Sequence, residues 1–288
     1  MKGCARAPGA GTILNALANG YGSAFAVDIY TTAEVALQGA GEVVGEIEGA
    51  PNADTSLIEK CVEIVVDRFG NGEGGNVITK SEIPIASGLK SSSAAANATV
   101  LASLDALSIC VGEGEEVTKL DAALIGVQAA REVGVTITGA FDDSSASMIG
   151  GLTLTNNSED TLLKHEESID WDVLIWTPEE KFYSAEADVN RCSFVSGVAD
   201  IIVEMVKEGR YLDAMTMNGL AFCAALEYSA EPMLEALPTV DGVSLSGTGP
   251  SMTAIGSEKI LKELENTWKE RGGNTMHTKT QIGGASII

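Results

Sequence analysis

The chain is short of the side chains that most enzymes use for acid–base and nucleophilic work. It has two histidines, His165 and His277, in 288 residues. Ser-His-Asp hydrolysis, Cys-His proteolysis and multi-histidine metal sites therefore lack material. Its five cysteines (Cys4, Cys61, Cys110, Cys192 and Cys223) are odd in number and scattered, with no C-x-x-C pair. That pattern argues against a disulfide framework or a zinc site and fits reduced thiols in a cytoplasm. No G-x-x-x-x-G-K-S/T sequence occurs, so a Walker-type phosphate loop is excluded. No apolar run approaches the roughly 18 residues of a membrane span. The start, MKGCARAPGAG, lacks the apolar stretch of a signal peptide, and a cytoplasmic location is expected.

Cations are also scarce. Eighteen Lys and Arg face 41 Asp and Glu, for a net charge of −23. Such a surface repels nucleic acid and anionic membranes at long range, and neither is an expected partner. An anionic substrate would meet the same field.

What is present is a foldable chain. Hydrophobic residues make up 45% of it. That excludes disorder and supplies core for one large domain or two small ones. There is no repeat of 20–50 residues. Residues 23–37 read as a strand and 54–69 as an amphipathic helix capped by Asp54 or Thr55. A turn at 71–75 and a strand over 76–84 follow. Residues 91–109 read as an Ala-rich helix opened by three serines. Residues 118–133 read as a helix capped by Thr118 and closed before Gly134. A strand is expected at 151–155. The polar stretch 156–168 reads as an inter-domain connection. Beyond it come a strand at 172–177, helices near 197–208, 210–229 and 231–237, strands within 244–256, a helix over 257–271 and a strand near 275–281. Strands and helices mix without strict alternation, which predicts an α+β fold in two lobes, 1–155 and 156–288.

Several glycine-rich loops compete for function. GNGEGG at 70–75 spells G-x-G-x-x-G but follows a helix and precedes a strand, the reverse of a dinucleotide-binding turn. IPIASGLKSSSAAANAT at 83–99 runs from a strand end into a helix start. Helix starts present unpaired N–H groups and a positive dipole end, so this segment is an anion site or a serine-rich cap. SLSGTGPS at 244–251 is a turn or a second binding loop. Asp142 and Asp143 sit among small residues, as solvated charges, a helix cap or a base for a hydroxyl proton.

Three motifs in order carry a resemblance: Ala7–Leu14 (APGAGTIL), Pro84–Ala94 (P-x-x-x-G-L-x-S-S-S-A) and Gly247–Pro250 (GTGP). Together they resemble the GHMP kinase superfamily of small-molecule kinases. Residues 5–28, 83–98 and 138–151 are similar to the archaeal-type shikimate kinases within it. The resemblance implies a lobe like the second domain of a small-subunit ribosomal protein, followed by a ferredoxin-like lobe. It implies transfer of the ATP γ-phosphoryl group to the 3-hydroxyl of shikimate, with Mg²⁺ as cofactor. Another alcohol kinase of the superfamily, such as a homoserine kinase, and a non-catalytic ATP-binding regulator are the alternatives.

Residue by residue, the resemblance assigns ATP binding to Pro84, Ile85, Ala86, Ser87, Gly88, Leu89, Lys90, Ser91, Ser92, Ser93 and Ala94, and to Gly247, Thr248 and Gly249. Ser92 takes the place of the metal-binding hydroxyl, with Ser91 and Ser93 as register alternatives. The family's metal-binding Glu, eleven residues before its catalytic Asp, falls on Glu132 when counted from Asp143. The catalytic Asp lies seven residues before a Gly. Asp143 meets that against Gly150, with Asp142 as fallback. Many relatives carry Lys after the first Pro-Gly, where this chain has Ala10. Arg6 and Lys90 are the expected replacements for that cation.

Overall fold

A computed structural model describes residues 1–83, 88–179 and 188–288. Two sheets organise it. The first holds β1 (Lys2–Leu14), β2 (Tyr21–Ala40), β3 (Val43–Ile47), β4 (Glu73–Ser81), β5 (Leu152–Asn156), β6 (Thr161–Glu166) and β11 (Ser286–Ile287). Its main path runs β11-β1-β2-β4-β3. The start of β2 pairs with β5, which pairs with β6. The second sheet is antiparallel, in the order β10-β7-β9-β8, from β7 (Asp172–Thr177), β8 (Gly242–Leu245), β9 (Met252–Ile255) and β10 (Asn274–Lys279).

Eight α-helices and a 3-10 helix (Val189–Val195) complete the regular structure of the described residues. The α-helices are α1 (Ser56–Phe69), α2 (Ser91–Ala106), α3 (Lys119–Glu132), α4 (Phe141–Ile149), α5 (Ser196–Lys207), α6 (Tyr211–Ala225), α7 (Glu231–Ala236) and α8 (Glu258–Lys269). α2 is the central piece of the first lobe. It lies on β1 and β2 and is flanked by α1, α3 and α4, so it is buried nearly all round. Its Ala and Ser content follows from that crowding. At Gly3 of β1, an added Cβ would sit 2.1 Å from the carbonyl oxygen of Ala102 on α2. Only glycine permits that approach.

Several expected elements form as read, including β7 at 172–177 and the α3 helix. Thr118 caps α3 in a capping box with Asp121. For α1 the N-cap residue is Thr55, without a side-chain cap bond. β4 begins at Glu73, so Gly74 and Gly75 belong to the strand rather than to the turn. The N-terminal APGAGTIL motif is itself strand, with a register shift between Pro8 and Gly9. Proline sits in a strand where such irregularities release its missing N–H.

The polar stretch at 156–168 is not a connection. It forms the turn and second strand of the β5–β6 hairpin, so a division at 155/156 falls inside the first sheet. The C-terminus also returns to that sheet. Past β10, Gln281 N donates to Ala26 O (2.9 Å) and Ala285 N to Met148 O (3.0 Å) before β11 pairs with β1.

Candidate active site

A cleft of about 450 Å³ opens where the N-terminus of α2, the C-terminal half of α3, the start of α4 and the β8–β9 loop meet. It gathers most of the residues the motifs singled out. Gly88, Lys90, Ser91, Ser92, Ser93, Asp142, Asp143, Gly247 and Thr248 line it. Leu89 and Ala94 are core residues, and Gly249 packs on the ring of Tyr228. Pro84, Ile85, Ala86 and Ser87 lie outside the described residues.

The cleft is held together by hydrogen bonds between side chains of each lobe and the backbone of the other. Gly88 has φ +76°, and a Cβ there would lie 2.2 Å from Ser246 O. Ser246 Oγ donates to Gly88 O (2.9 Å). Gly247 N donates to Thr12 Oγ1 (2.9 Å), and Asn15 Nδ2 donates to Gly247 O (2.8 Å). Asn15 N in turn donates to Asn218 Oδ1 on α6 (2.8 Å). A helix start from one lobe and a glycine loop from the other are thereby fixed face to face.

α2 begins without a side-chain cap, at Lys90 in the left-handed region with φ +63°. Its first-turn N–H groups have no intrahelical acceptor, and its positive end opens on the cleft. Ser92 is exposed to the cleft, while Ser91 and Ser93 are half-buried. Backbone donors, hydroxyls and one ammonium are the groups an anion site requires.

Asp142 and Asp143 open α4 and are both buried. Consecutive residues of a helix leave it in different directions, and these two find different partners. Asp142 Oδ1 accepts from Asn157 Nδ2 (2.7 Å). Asp143 Oδ2 lies 2.9 Å from Lys90 Nζ. Asp143 Oδ1 is buried and has no hydrogen-bond partner among the described residues. Burial, and then the charge of Asp142, push the Asp143 carboxyl up to about 7, against the pull of Lys90. Burial also draws Lys90 down. The charges of Asp143 and Asp142 outweigh it and hold the ammonium above its usual range. One cation thus faces two buried carboxylates, and Lys90 stays charged.

Two expectations are corrected. Glu132 is not brought to the cleft. It is exposed, and its Oε1 accepts from Gln128 Nε2 (2.7 Å) one helical turn away. Gly126, Val127 and Ala130, on another face of α3, line the site instead. Arg6 does not replace the missing cation either. Its guanidinium carbon stands 4.5 Å from the ring centre of Tyr30. Among the described lining residues the cation is Lys90.

Sequence reading missed Asn15, Asn97 and Asn157. Asn97 Nδ2 donates to Ser144 O (2.9 Å), and Ser144 Oγ donates to Asn97 Oδ1 (2.9 Å), locking α4 to α2. Ser147 Oγ donates to Pro8 O (2.6 Å), which ties the first motif to the same helix. Buried asparagines bonded far along the chain leave no local signature.

Known proteins match this arrangement at two levels. The family described as GHMP kinases N terminal domain matches residues 56–151. Among solved structures, a homoserine kinase from Cytophaga hutchinsonii superposes with a TM-score of 0.77 at 15% identity, covering 100% of this chain and 97% of its own. The Methanococcus jannaschii mevalonate kinase also gives 0.77 at 15% identity, over 96% and 98%. These share the two-lobed fold. Curated relatives are far nearer in sequence. The shikimate kinase of Halobacterium salinarum is 55% identical over 99% of both chains. That of Methanothrix thermoacetophila is 48% identical over 100% of this chain and 96% of its own. With full-length identity at this level, a GHMP-kinase fold and the motif loops converging on one cleft, the chain belongs to the archaeal-type shikimate kinases of the GHMP kinase superfamily.

Proposed function

We propose that the protein transfers the γ-phosphoryl group of ATP to the 3-hydroxyl of shikimate, giving shikimate 3-phosphate and ADP. The acceptor follows from the relatives just described. The observation that carries the chemistry is Asp143, which lines the cleft with one oxygen paired to Lys90 and the other buried without a described partner.

Phosphoryl transfer asks a protein for position and charge more than for covalent chemistry. The scarcity of histidine is therefore no obstacle. The triphosphate lies over the start of α2, where the N–H groups and the hydroxyls of Ser91, Ser92 and Ser93 receive it. Asp143 Oδ1 accepts the proton of the acceptor hydroxyl. The hydroxyl oxygen bonds to the γ-phosphorus as the bridge to the β-phosphate breaks, and ADP leaves. Lys90 holds Asp143 in place and sets a positive charge beside the transferring group. Gly247 and Thr248 close the cleft from the second lobe.

The serine hydroxyls on the cleft are oxygen ligands of the kind Mg²⁺ takes, while no cluster of three or more His, Cys, Asp or Glu able to hold a metal forms among the described residues. Ser92 would hold the ion together with phosphate oxygens and water. Bound there, Mg²⁺ would neutralise charge on the phosphates.

The test is ADP release with Mg·ATP and a panel of shikimate, homoserine, mevalonate and galactose. Shikimate alone should accelerate it. Acceleration by homoserine instead would reassign the acceptor, and no release with any alcohol would make the protein a nucleotide-binding regulator.

A further inference from the structure

We infer that Asn157, backed by the Arg131–Asp160 ion pair, is a positioning device that sorts the two adjacent carboxylates of α4. It ties Asp142 to the β5–β6 hairpin and leaves Asp143 to meet Lys90 and serve the reaction. The inference rests on Asp143 being the base.

Asn157 sits in the β5–β6 turn and is 1% exposed. Its amide makes four bonds, two as acceptor and two as donor. Oδ1 accepts from Asp142 N (3.2 Å) and Thr155 Oγ1 (2.6 Å). Nδ2 donates to Asp142 Oδ1 (2.7 Å) and Thr138 Oγ1 (3.4 Å). The first residue pair of α4 and the loop that walls the cleft are thus gripped by one side chain. Asp142 has little room to leave, because a Cβ on Gly22 would fall 2.4 Å from its Oδ2. Its backbone carbonyl accepts from Ser145 Oγ (3.1 Å) and Thr153 Oγ1 (3.2 Å).

Behind Asn157 stands a second layer. Arg131 at the end of α3 donates Nη1 to Asp160 Oδ2 (2.6 Å) and Nη2 to Asp160 Oδ1 (2.7 Å). Nη2 also donates to Asn157 O (3.2 Å). This fork fixes both direction and distance in a way one bond does not. The guanidinium lies under Gly139, where a Cβ would meet Nη2 at 2.3 Å. Gly139, Ala140 and Asp160 all have positive φ, at +87°, +51° and +50°. Left-handed alanine and aspartate persist only where surroundings over-determine them. Gly139 and Ala140 turn the chain into α4, and Asp160 shapes the β5–β6 turn, so that Asp142 meets the hairpin and Asp143 meets Lys90. Freed from Asn157, Asp142 would compete for the same ammonium.

Arg131→Gln, Asp160→Asn and the double variant test this at a partly exposed pair that should leave the fold intact. Each single variant is expected to lower kcat about 10-fold, with KM for ATP and for shikimate within about twofold of wild type. The double variant should lose no more than either single one, because both act through one pair. Arg131→Lys, which keeps the charge but not the fork, should recover part of kcat. Asn157→Asp keeps the shape and turns the Nδ2 donor into an acceptor facing Asp142. It should cost about 100-fold in kcat. Wild-type kcat in Arg131→Gln and Asp160→Asn, whatever their melting temperatures, would overturn the inference. So would losses that appear in KM alone. Asp143→Asn is measured alongside. If it keeps turnover, the base assignment fails. If it is inactive while the clamp variants are normal, only the clamp fails.

Discussion

Lys90 Nζ stands 2.9 Å from Asp143 Oδ2, the lysine reaching from the N-cap of α2 and the aspartate from the first turn of α4. The contact depends on a third element. Gly247 of the β8–β9 loop lies against the lysine, and a Cβ there would be 2.9 Å from Nζ. Lys90 itself takes a left-handed conformation at the N-cap of α2, a place that favours Asn, Ser or Gly. A position normally given to capping has been given to a cation. That cation stands where a helix start, a carboxylate pair and the closing loop converge, in a chain with a net charge of −23.

Removing this ammonium should therefore damage transfer more than folding. Lys90→Met keeps the length of the stem and drops the charge. A positioned charge that stabilises a transition state is typically worth about 10²–10³ in kcat, and a loss of that order is expected. The Asp143 carboxyl would also rise further, having lost the partner that favours its charged form. Steady-state kinetics across pH read both effects. An unchanged kcat would remove Lys90 from the reaction.

The Asp143 carboxyl, pushed up to about 7, makes a pH prediction with a definite sign. A base must be unprotonated, so kcat/KM should rise through about pH 7 along a one-proton limb and level off above it. Stability should run the other way. The folded value lies above the unfolded value of about 3.9. The folded state therefore binds the extra proton between those pH values. Its contribution is complete below about pH 4 and is lost as pH climbs through 7. Melting temperatures of wild type and Asp143→Asn, followed from pH 5 to 8, check this. Wild type should lose more over that range than the variant.

The parts of the molecule legible in the sequence are those set by local chemistry. Thr118 announces α3, three serines announce the start of α2, and Asp143 and Gly150 stand at a family spacing. What stayed hidden depends on distant partners. β1 has a Gly- and Pro-rich sequence of poor strand propensity and becomes a strand because α2 packs on it. The stretch 156–168 is polar enough to pass for a linker. Its Asn157 is buried because Asp142 awaits it. Glu132 shows the reverse error. Counting eleven residues back from Asp143 respects spacing but not the rotation of a helix.

That rotation makes a prediction about the metal. Gln128 and Glu132 are four residues apart, share the outer face of α3 and bond each other. Glu132→Gln should leave the Mg²⁺ concentration for half-maximal activity unchanged. Ser92→Ala should raise it, because that hydroxyl lines the cleft. Magnesium titrations of the two variants give the comparison. A raised requirement in Glu132→Gln would return that carboxylate to the metal.

The acidic surface predicts a response to salt. Acidic side chains outnumber basic ones 41 to 18, so even complete pairing leaves a large excess of like charge. Five of the thirteen ion pairs among the described residues, Lys80–Glu48 and Lys262–Glu258 among them, are exposed on both sides. Such pairs contribute little each. Raising KCl from about 0.1 M to about 1 M shortens the screening length from about 10 Å to about 3 Å. That weakens both attraction and repulsion, but repulsive pairs are the more numerous, so their loss should dominate and the melting temperature should rise. The Lys90–Asp143 pair, 13% and 8% exposed, is shielded from bulk ions and should hold through the same range. Thermal scans over a KCl series, with the pH profile repeated at each end, separate the two. A melting temperature that rises while the acid limb stays near pH 7 is the expected result. A flat or falling one would mean that local pairs, not net charge, govern stability.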